Sequence, residues 1–394
     1  MKLVHAADLH IDSPLKGLSA HDGAPVERVR EATRKAFRNL IDLCLKEQAT
    51  ALLLAGDIFD GEWKDFSTGL YFVRELERLR PMPVFIVRGN HDAASEVTQK
   101  LRLPPHVHEF SEDTAETKIV GELAVHGLSF PRRAIPESLV PRYPPPVDGK
   151  FNVGLLHTSC EGAAGHNPYA PCRVDELVQK GYHYWALGHV HAYAVLHERP
   201  WIVFPGNTQG RHIKETGEKG CVIVHVDGRE VRLRRAALDV VRWKLIEITL
   251  GENDDVHALY VRAREALEAA RREAEGRLCA VRLIVAGASR AHQAIVDDRH
   301  QVEAELRGLS YEFQDELWLE EIKLRTRPPL RLDELRRSEG FLGELMRLGP
   351  EPAAWKSLTD KLGAELKEAG LDFAELADEL HGDAQALIAA RLQR

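Results

Sequence analysis

Five short motifs in the first half of the chain carry side chains that bind divalent metal ions. They are Asp8-x-His10, Asp57-x-x-Asp60, Asn90-His91-Asp92, His157 and His189-x-His191. Carboxylate, amide and imidazole ligands suit ions such as Mn²⁺, Fe²⁺ or Zn²⁺, and the motifs contain no cysteine for a thiolate site. A single His-x-His is more often a pair of surface histidines in a turn, so the prediction depends on the whole ordered set.

Seven of these side chains are candidate ligands. They are Asp8, His10, Asp57, Asn90, His157, His189 and His191. If Asp57 bridges, each of two ions receives four protein ligands, which leaves positions for water and substrate. Two ions about 3.5–4 Å apart stabilise both the attacking and the leaving oxygen of a phosphoryl transfer. The motifs therefore predict a two-metal phosphoryl-transfer site.

Each motif stands at the end of an apolar run that is typical of a strand. The runs are "KLVHAAD", "TALLLAGD", "PVFIVRGN", "NVGLLHTS" and "YWALGHVH". Amphipathic stretches with near-helical spacing separate the first three, at about 26–48 and 66–79. This alternation predicts an α/β fold with sheet layers flanked by helices. In such folds sites form in front of the carboxyl ends of the strands, so we expect the motifs to meet in one cavity.

Composition narrows the class of protein. A chain of 394 residues predicts two or three domains. A formal net charge of -8 gives no general attraction to polyanions, so nucleic acid would need a local basic patch or a partner. Five scattered cysteines without a C-x-x-C pair predict reduced thiols in a cytoplasmic protein. No apolar run has the length of a membrane span, and the start of the chain does not resemble a secretory signal.

The pattern of the chain changes after about residue 240. Strand-like and helical segments alternate over 241–330, without a metal-type motif, and predict a smaller α/β domain. Residues 331–394 are helical in pattern, and an apolar face there packs either on its own domain or on a partner helix. We therefore predict a catalytic domain at 1–240, a capping domain at 241–330 and a helical tail at 331–394.

The order of the five motifs resembles the calcineurin-like metallophosphoesterase superfamily. Within it, "HAADLHIDSPL", "GDIFD" and the appended α/β domain resemble the SbcD-type DNA repair nucleases. The stretches "HNPYAPC" and "PGNTQGRHIKETGEKG" resemble the bacterial YhaO-like branch. The resemblance covers residues 1–230 well, the second domain loosely and the tail hardly at all.

The resemblance implies a role for each motif residue. One ion would be held by Asp8, His10, Asp57 and His191, and the other by Asp57, Asn90, His157 and His189. His91 would face the scissile phosphate, stabilising its charge or protonating the leaving oxygen, while Asp60 and Asp92 would orient histidines. From the loop sequence itself, Arg211 and His212 are either contacts to a phosphate backbone or an exposed loop pair.

The same resemblance implies a metal-dependent DNA exonuclease or endonuclease of DNA repair. It implies Mn²⁺ as the metal, with Fe²⁺, Zn²⁺ or Mg²⁺ as alternatives, an SbcC-type coiled-coil ATPase as partner, and a homodimer. The rival enzyme is a small-nucleotide phosphodiesterase or phosphatase of the same superfamily, but an added domain suits a long substrate. A non-catalytic scaffold is the rival from another class, and the intact ligand set argues against it.

Overall fold

The computed structural model describes residues 1–13, 25–60, 66–94, 101–160, 169–228 and 230–329. The predicted helical tail at 331–394 lies outside the described residues. The chain divides into two units. The first comprises Met1–Leu245, Glu268–Arg282 and Phe313–Glu321. The second comprises Ile246–Leu267, Leu283–Glu312 and, among the described residues, 322–329. The predicted domain limits at 240 and 330 stay predictions.

Strands and helices alternate along the described residues as the apolar runs predict. The strands are β1 (Lys2–Ala6), β2 (Ala51–Ala55), β3 (Val84–Val87), β4 (Val107–Glu109), β5 (Glu116–Val120), β6 (Leu123–Gly127), β7 (Phe151–His157), β8 (Tyr184–Gly188), β9 (Ala194–Glu198), β10 (Trp201–Phe204), β11 (Gly220–Asp227), β12 (Glu230–Ala237), β13 (Val241–Thr249), β14 (Leu278–Ala288) and β15 (Leu317–Arg327). The helices are α1 (Val26–Arg30), α2 (Ala32–Glu47), α3 (Phe66–Glu77), α4 (Val174–Gln179), α5 (Val256–Glu273), α6 (Ala291–Asp297) and α7 (Arg299–Tyr311). Short 3₁₀ helices lie at Asp92–Ala94, Val140–Arg142 and Gln314–Glu316.

Two six-stranded sheets form the core of the first unit. The first has the order β12-β11-β1-β2-β3-β4, and the second has the order β5-β6-β7-β8-β10-β9. Strands β1 to β4 are parallel to one another, and so are β6, β7, β8 and β10. The edge strands β12, β5 and β9 pair antiparallel with their neighbours. Both sheets therefore present several carboxyl ends at the same edge.

The apolar side chains of the central strands explain why the two sheets pack face to face. Leu3, Leu53 and Phe85 of the first sheet share one buried cluster with Val153 and Tyr184 of the second. Strands that are buried on both faces read as continuous apolar runs, as "ALLLA" does in β2. Burial of each large apolar side chain contributes roughly 1.5–3 kcal/mol, so this cluster fixes the relation of the sheets.

Helices cover the outer face of the first sheet. Phe37 and Leu40 of α2 and Phe72 and Leu76 of α3 pack in a second buried cluster with strand residues such as Leu52. The outer face of the second sheet is covered by a third cluster that includes Leu177 of α4. The prediction of an α/β fold with sheet layers flanked by helices is confirmed.

The later part of the chain continues the α/β pattern. Strands β13, β14 and β15 form a three-stranded sheet in the order β13-β14-β15. Two helices, α6 and α7, lie between β14 and β15, and they are separated at Asp298, whose backbone is non-helical with φ -129° and ψ 43°. Among the described residues, none of the helices is long and apolar enough to cross a membrane.

Candidate metal centre

The five motifs follow strands that are neighbours in the two sheets. Asp8, Asp57 and Asn90 follow β1, β2 and β3, which are adjacent in the first sheet. His157 ends β7 and His189 follows β8, which are adjacent in the second sheet. The motifs thus meet at the carboxyl ends of strands, as expected, and each of the two packed sheets contributes one side of the site.

Several candidate ligands have a backbone conformation that residues other than glycine rarely adopt. The φ angles are 52° at Asp8, 43° at His10, 51° at Asp57 and 110° at His189. Such positive angles cost free energy and persist where the surrounding structure enforces them, most often at functional sites. Here they occur in the segments that follow β1, β2 and β8.

A glycine before two of the ligands allows the sheets to approach closely. A Cβ atom on Gly188 would lie 1.9 Å from the carbonyl oxygen of Ala55, and one on Gly56 would lie 2.6 Å from His157 Nδ1. Gly56 also has a φ of +89°. The glycines that precede Asp57 and His189 in the sequence are therefore required by the contact between β2, β7 and β8.

The first group of ligand atoms comes from Asp8, His10 and His191, which all lie within 4.8 Å of one another. His191 Nε2 lies 3.8 Å from Asp8 Oδ1. It lies 3.3 Å from His10 Nε2. The two imidazoles thus direct their Nε2 atoms at each other beside a buried carboxylate.

The second group comes from Asp57, His157 and His189, also within 4.8 Å. Asn90 joins it, because Asn90 Oδ1 lies 3.0 Å from His157 Nε2. Asp57 Oδ2 lies 3.5 Å from His157 Nε2 and 3.9 Å from His10 Nε2. One oxygen of Asp57 therefore lies between the two groups, and the structure brings all seven predicted ligands together.

This cluster fits a pair of divalent cations. Asp8 Oδ1 is buried and has no hydrogen-bond partner among the described residues. Burial raises the pKa of the Asp8 carboxyl to about 7, with His191 opposing this shift and the charge of Asp57 adding to it. Buried carboxylates that repel each other are stabilised by a cation between them, and the mixed oxygen and imidazole donors suit divalent ions.

Three of the histidines are oriented by an oxygen acceptor behind the ring. The Nδ1 atoms of His10, His157 and His191 donate to Asp60 Oδ1 at 2.8 Å, the Ala55 carbonyl at 2.9 Å and Glu215 Oε1 at 2.7 Å. With the proton on Nδ1, each Nε2 lone pair faces the cluster. Burial lowers the pKa of His10 to about 4 and that of His157 to about 3, so both rings are neutral at pH 7.

His91 lies beside this cluster with its side chain 33% exposed. Its backbone N–H donates to Asp57 Oδ1 at 2.9 Å, and its Nδ1 lies 3.1 Å from Asp60 Oδ1. The hydrogen bond with Asp60 raises the pKa of His91. Asp60 is itself mostly buried, but its bonds with His10 and His91 outweigh burial and lower its pKa. The same Asp60 oxygen thus contacts a candidate ligand and the candidate acid, and its role in orienting these histidines stays a prediction.

Asp92 joins the loops that follow β2 and β3. Its carboxylate accepts hydrogen bonds from the backbone N–H groups of Ile58, Phe59 and Gly89 at 3.1, 2.9 and 3.0 Å. Burial raises its pKa to about 7, and the charge of Asp57 adds to the shift. These contacts position backbone next to Asp57 and Asn90. The prediction that Asp92 orients a histidine stays a prediction.

Arg211 and His212 lie in the connection between β10 and β11. The Arg211 guanidinium lies 3.7 Å from Asp60 Oδ2 and 3.2 Å from Glu215 Oε1. The His212 side chain is 54% exposed, with Nε2 3.7 Å from Glu215 Oε1. Both residues therefore lie near the cluster, and their contact with a substrate stays a prediction.

Glu215 was not foreseen from the sequence. It belongs to no motif at the end of a strand, and it lies 24 positions after the histidine that it contacts. The signal that the sequence does offer is the spacing of Arg211 and Glu215, four positions apart in the glycine-containing stretch 205–220.

Comparisons with known proteins place the chain in a family. Residues 1–193 match the calcineurin-like phosphoesterases, and residues 243–327 match the middle domain of the metallophosphoesterase YhaO. The Bacillus subtilis protein described as uncharacterized metallophosphoesterase YhaO is 36% identical over 296 residues, which cover 73% of this chain and 72% of that protein. The chain belongs to the calcineurin-like metallophosphoesterases, as the motifs predicted. It is a hydrolase of phosphoesters, in a family that uses a dinuclear centre of divalent metal ions.

Similarity over shorter stretches extends to a DNA double-strand break repair protein and to a nuclease component. The DNA double-strand break repair protein Mre11 of Sulfurisphaera tokodaii is 24% identical over 199 residues, covering 48% of this chain and 49% of that protein. The SbcD component of the nuclease SbcCD of Rhodobacter capsulatus is 36% identical over 115 residues, covering 27% of this chain and 24% of that protein. The matches thus span about half and about a quarter of these two relatives.

Proposed function

We propose that this protein is a phosphodiesterase that hydrolyses DNA with two divalent metal ions. The observation that carries the proposal is the position of Asp57 Oδ2, between His10 and His157 at 3.9 and 3.5 Å. A carboxylate shared in this way suits a centre that binds both oxygens of an in-line displacement. The similarity to Mre11 and to the SbcD component of SbcCD supports DNA as the substrate.

The ligand assignment follows the two groups. Asp8, His10 and His191 would hold one ion together with Asp57, and Asn90, His157 and His189 would hold the other together with Asp57. When bound, the ions would supply an activated water for attack on phosphorus and would neutralise the charge of the phosphate. Oxygen and imidazole donors are compatible with Mn²⁺, which we propose as the metal, and with Fe²⁺, Zn²⁺ or Mg²⁺.

His91 is the proposed general acid. Its backbone is held by Asp57 and its Nδ1 by Asp60, while a third of its side chain is accessible to a substrate. The hydrogen bond with Asp60 raises the pKa of His91 and so increases the fraction of the imidazolium, which can donate a proton to the departing 3′ oxygen. Proton transfer by a positioned side chain contributes typically about 10²–10⁴-fold in rate.

The proposal is tested with labelled single- and double-stranded DNA, in Mn²⁺ or in EDTA. We expect cleavage by the wild type in Mn²⁺ only. His91→Ala should reduce the rate about 10²–10⁴-fold while retaining two bound ions. His108→Ala is the matched control, because His108 is 30% exposed and is also paired with a carboxylate, Glu116, at 2.9 Å. It should cleave at the wild-type rate.

The DNA substrate, the role of His91 and the role of the metal ions are each tested separately in this experiment. Hydrolysis of small nucleotides or aryl phosphodiesters without cleavage of DNA would support the rival enzyme and end the DNA proposal. Full activity of His91→Ala would remove His91 from the chemistry, and full activity in EDTA would remove the metal ions.

The partner and oligomeric state of the protein are proposed from the same similarity to DNA-processing relatives. We propose a cytoplasmic protein that acts with an SbcC-type coiled-coil ATPase through residues 331–394 and forms a homodimer. Residues 241–330 would form the capping domain, and the match of 243–327 to the middle domain of YhaO supports a separate domain there.

A further inference from the structure

The connection between β10 and β11 holds His191 at both its ring and its backbone. Glu215 Oε1 accepts from His191 Nδ1 at 2.7 Å. Lys219 Nζ and the Asn207 backbone N–H donate to the His191 carbonyl at 2.9 and 3.4 Å. His191 is not in a strand, so its position depends on this connection rather than on a sheet ladder.

Glu215 is itself firmly held. It is 6% exposed, and its Oε2 accepts from the Arg211 backbone N–H at 2.7 Å and from Asn207 Nδ2 at 3.0 Å. Its Oε1 accepts from Arg211 Nη2 at 3.2 Å besides His191. Because both oxygens are engaged by neighbours, the carboxylate keeps one orientation and offers a fixed acceptor to the imidazole.

Arg211 connects this carboxylate with the one that orients His10. Its Nη2 lies 3.2 Å from Glu215 and its Nη1 lies 3.7 Å from Asp60 Oδ2. Asp60 Oδ1 in turn accepts a hydrogen bond from His10 Nδ1 at 2.8 Å. A planar guanidinium can contact two carboxylates at once and offsets their buried charge. Arg211 therefore lies near both carboxylates, Asp60 and Glu215, that contact the imidazoles from behind. These imidazoles belong to His10 and His191, whose Nε2 atoms lie 3.3 Å apart.

We propose that Glu215, held by Arg211, is a positioning residue that sets the metal affinity of the position formed by Asp8, His10 and His191. This inference rests on the two-metal site of the proposed function. Loss of a carboxylate behind a ligating histidine typically weakens metal binding about 10–100-fold. His157 of the other position is oriented by the Ala55 carbonyl instead, so that position keeps its affinity.

The experiment is a calorimetric titration of the metal-free protein with Mn²⁺. We expect the wild type to bind two ions. In Glu215→Gln one of the two dissociation constants should rise about 10–100-fold and the other should stay the same. The matched control is Glu218→Gln in the same connection, because Glu218 is paired with Arg235 at 3.6 Å, and this substitution should leave Mn²⁺ binding as in the wild type.

A second measurement needs no substitution. The ¹⁵N shifts of His191 in the wild type with Mg²⁺ or Zn²⁺ bound should show a protonated Nδ1 and a bare Nε2, as the Glu215 contact requires.

The outcomes separate the inference from the proposed function. Two unchanged dissociation constants in Glu215→Gln, equal weakening of both ions, or a His191 ring without a proton on Nδ1 would each overturn the role of Glu215 alone. A wild type that binds fewer than two ions would overturn both.

Discussion

Asp57 is the residue on which the candidate centre depends most. Its Oδ2 faces His10 and His157, and its Oδ1 accepts the backbone N–H of His91. Its charge also raises the pKa values of the buried Asp8 and Asp92 carboxyls, in addition to the effect of burial. The negative charge of Asp57 is therefore unfavourable beside these carboxyls when no cation is bound, and it would attract a pair of cations.

We predict that Asp57→Asn abolishes the thermal stabilisation by Mn²⁺. A ligand that binds only the folded state at 100 times its Kd stabilises by about 2.7 kcal/mol, so bound Mn²⁺ should raise the Tm of the wild type. The asparagine keeps an oxygen for the His91 N–H, but it lacks the charge that two ions share. Thermal unfolding with Mn²⁺ and with EDTA measures this effect.

The exposed Asp113→Asn is the control and should keep the full Mn²⁺-dependent rise in Tm. An equal rise in Asp57→Asn would show that the shared carboxylate is not required for metal binding.

At the scale of elements, the site depends on the close approach of strand ends from two sheets. Gly188 at the end of β8 lies against Ala55 at the end of β2, and the space between them does not accommodate a Cβ atom. Because Ala55 precedes Asp57 and Gly188 precedes His189, this contact positions one side of the cluster relative to the other.

We predict that Gly188→Ala destabilises the protein by about 3 kcal/mol or more. The added Cβ atom would lie 1.9 Å from a backbone oxygen, which cannot move aside as a flexible side chain does. Denaturant unfolding measures the change in the free energy of unfolding.

Gly308→Ala in α7 is the matched substitution, because its Cβ atom would meet nothing within 4 Å. It should stabilise the protein by about 0.5–1 kcal/mol, as alanine does in a helix. If Gly188→Ala unfolds at the wild-type denaturant concentration, the close approach of β8 and β2 is not required.

At the scale of the whole molecule, the net charge of -8 gives no general attraction to DNA. The proposed substrate therefore has to be bound by local groups or through a partner. Residues 331–394, whose sequence pattern is helical with an apolar face, are the proposed surface for that partner.

We predict that deletion of 331–394 leaves Mn²⁺-dependent DNA hydrolysis within about twofold of the full chain, since all seven proposed ligands lie before residue 192. The same deletion should weaken capture of an SbcC-type ATPase at least about tenfold, because an amphipathic helix contributes its apolar face to a partner groove. Pull-down with the full chain as reference measures the capture. Undiminished capture would place the partner surface elsewhere on the chain.

The sequence by itself determined the candidate ligands, because each stands directly after an apolar run and such positions lie at a sheet edge. It also determined the alternation of strands and helices. Only the tertiary structure decided that two packed sheets contribute to the site, that Asp57 lies between the ligand groups, and that Glu215 and Arg211 support His191. These features depend on contacts between residues far apart in the chain, such as Glu215 with His191 and Asp57 with His157. Local periodicity reports which face of an element is buried, and the partner of that face is selected by packing.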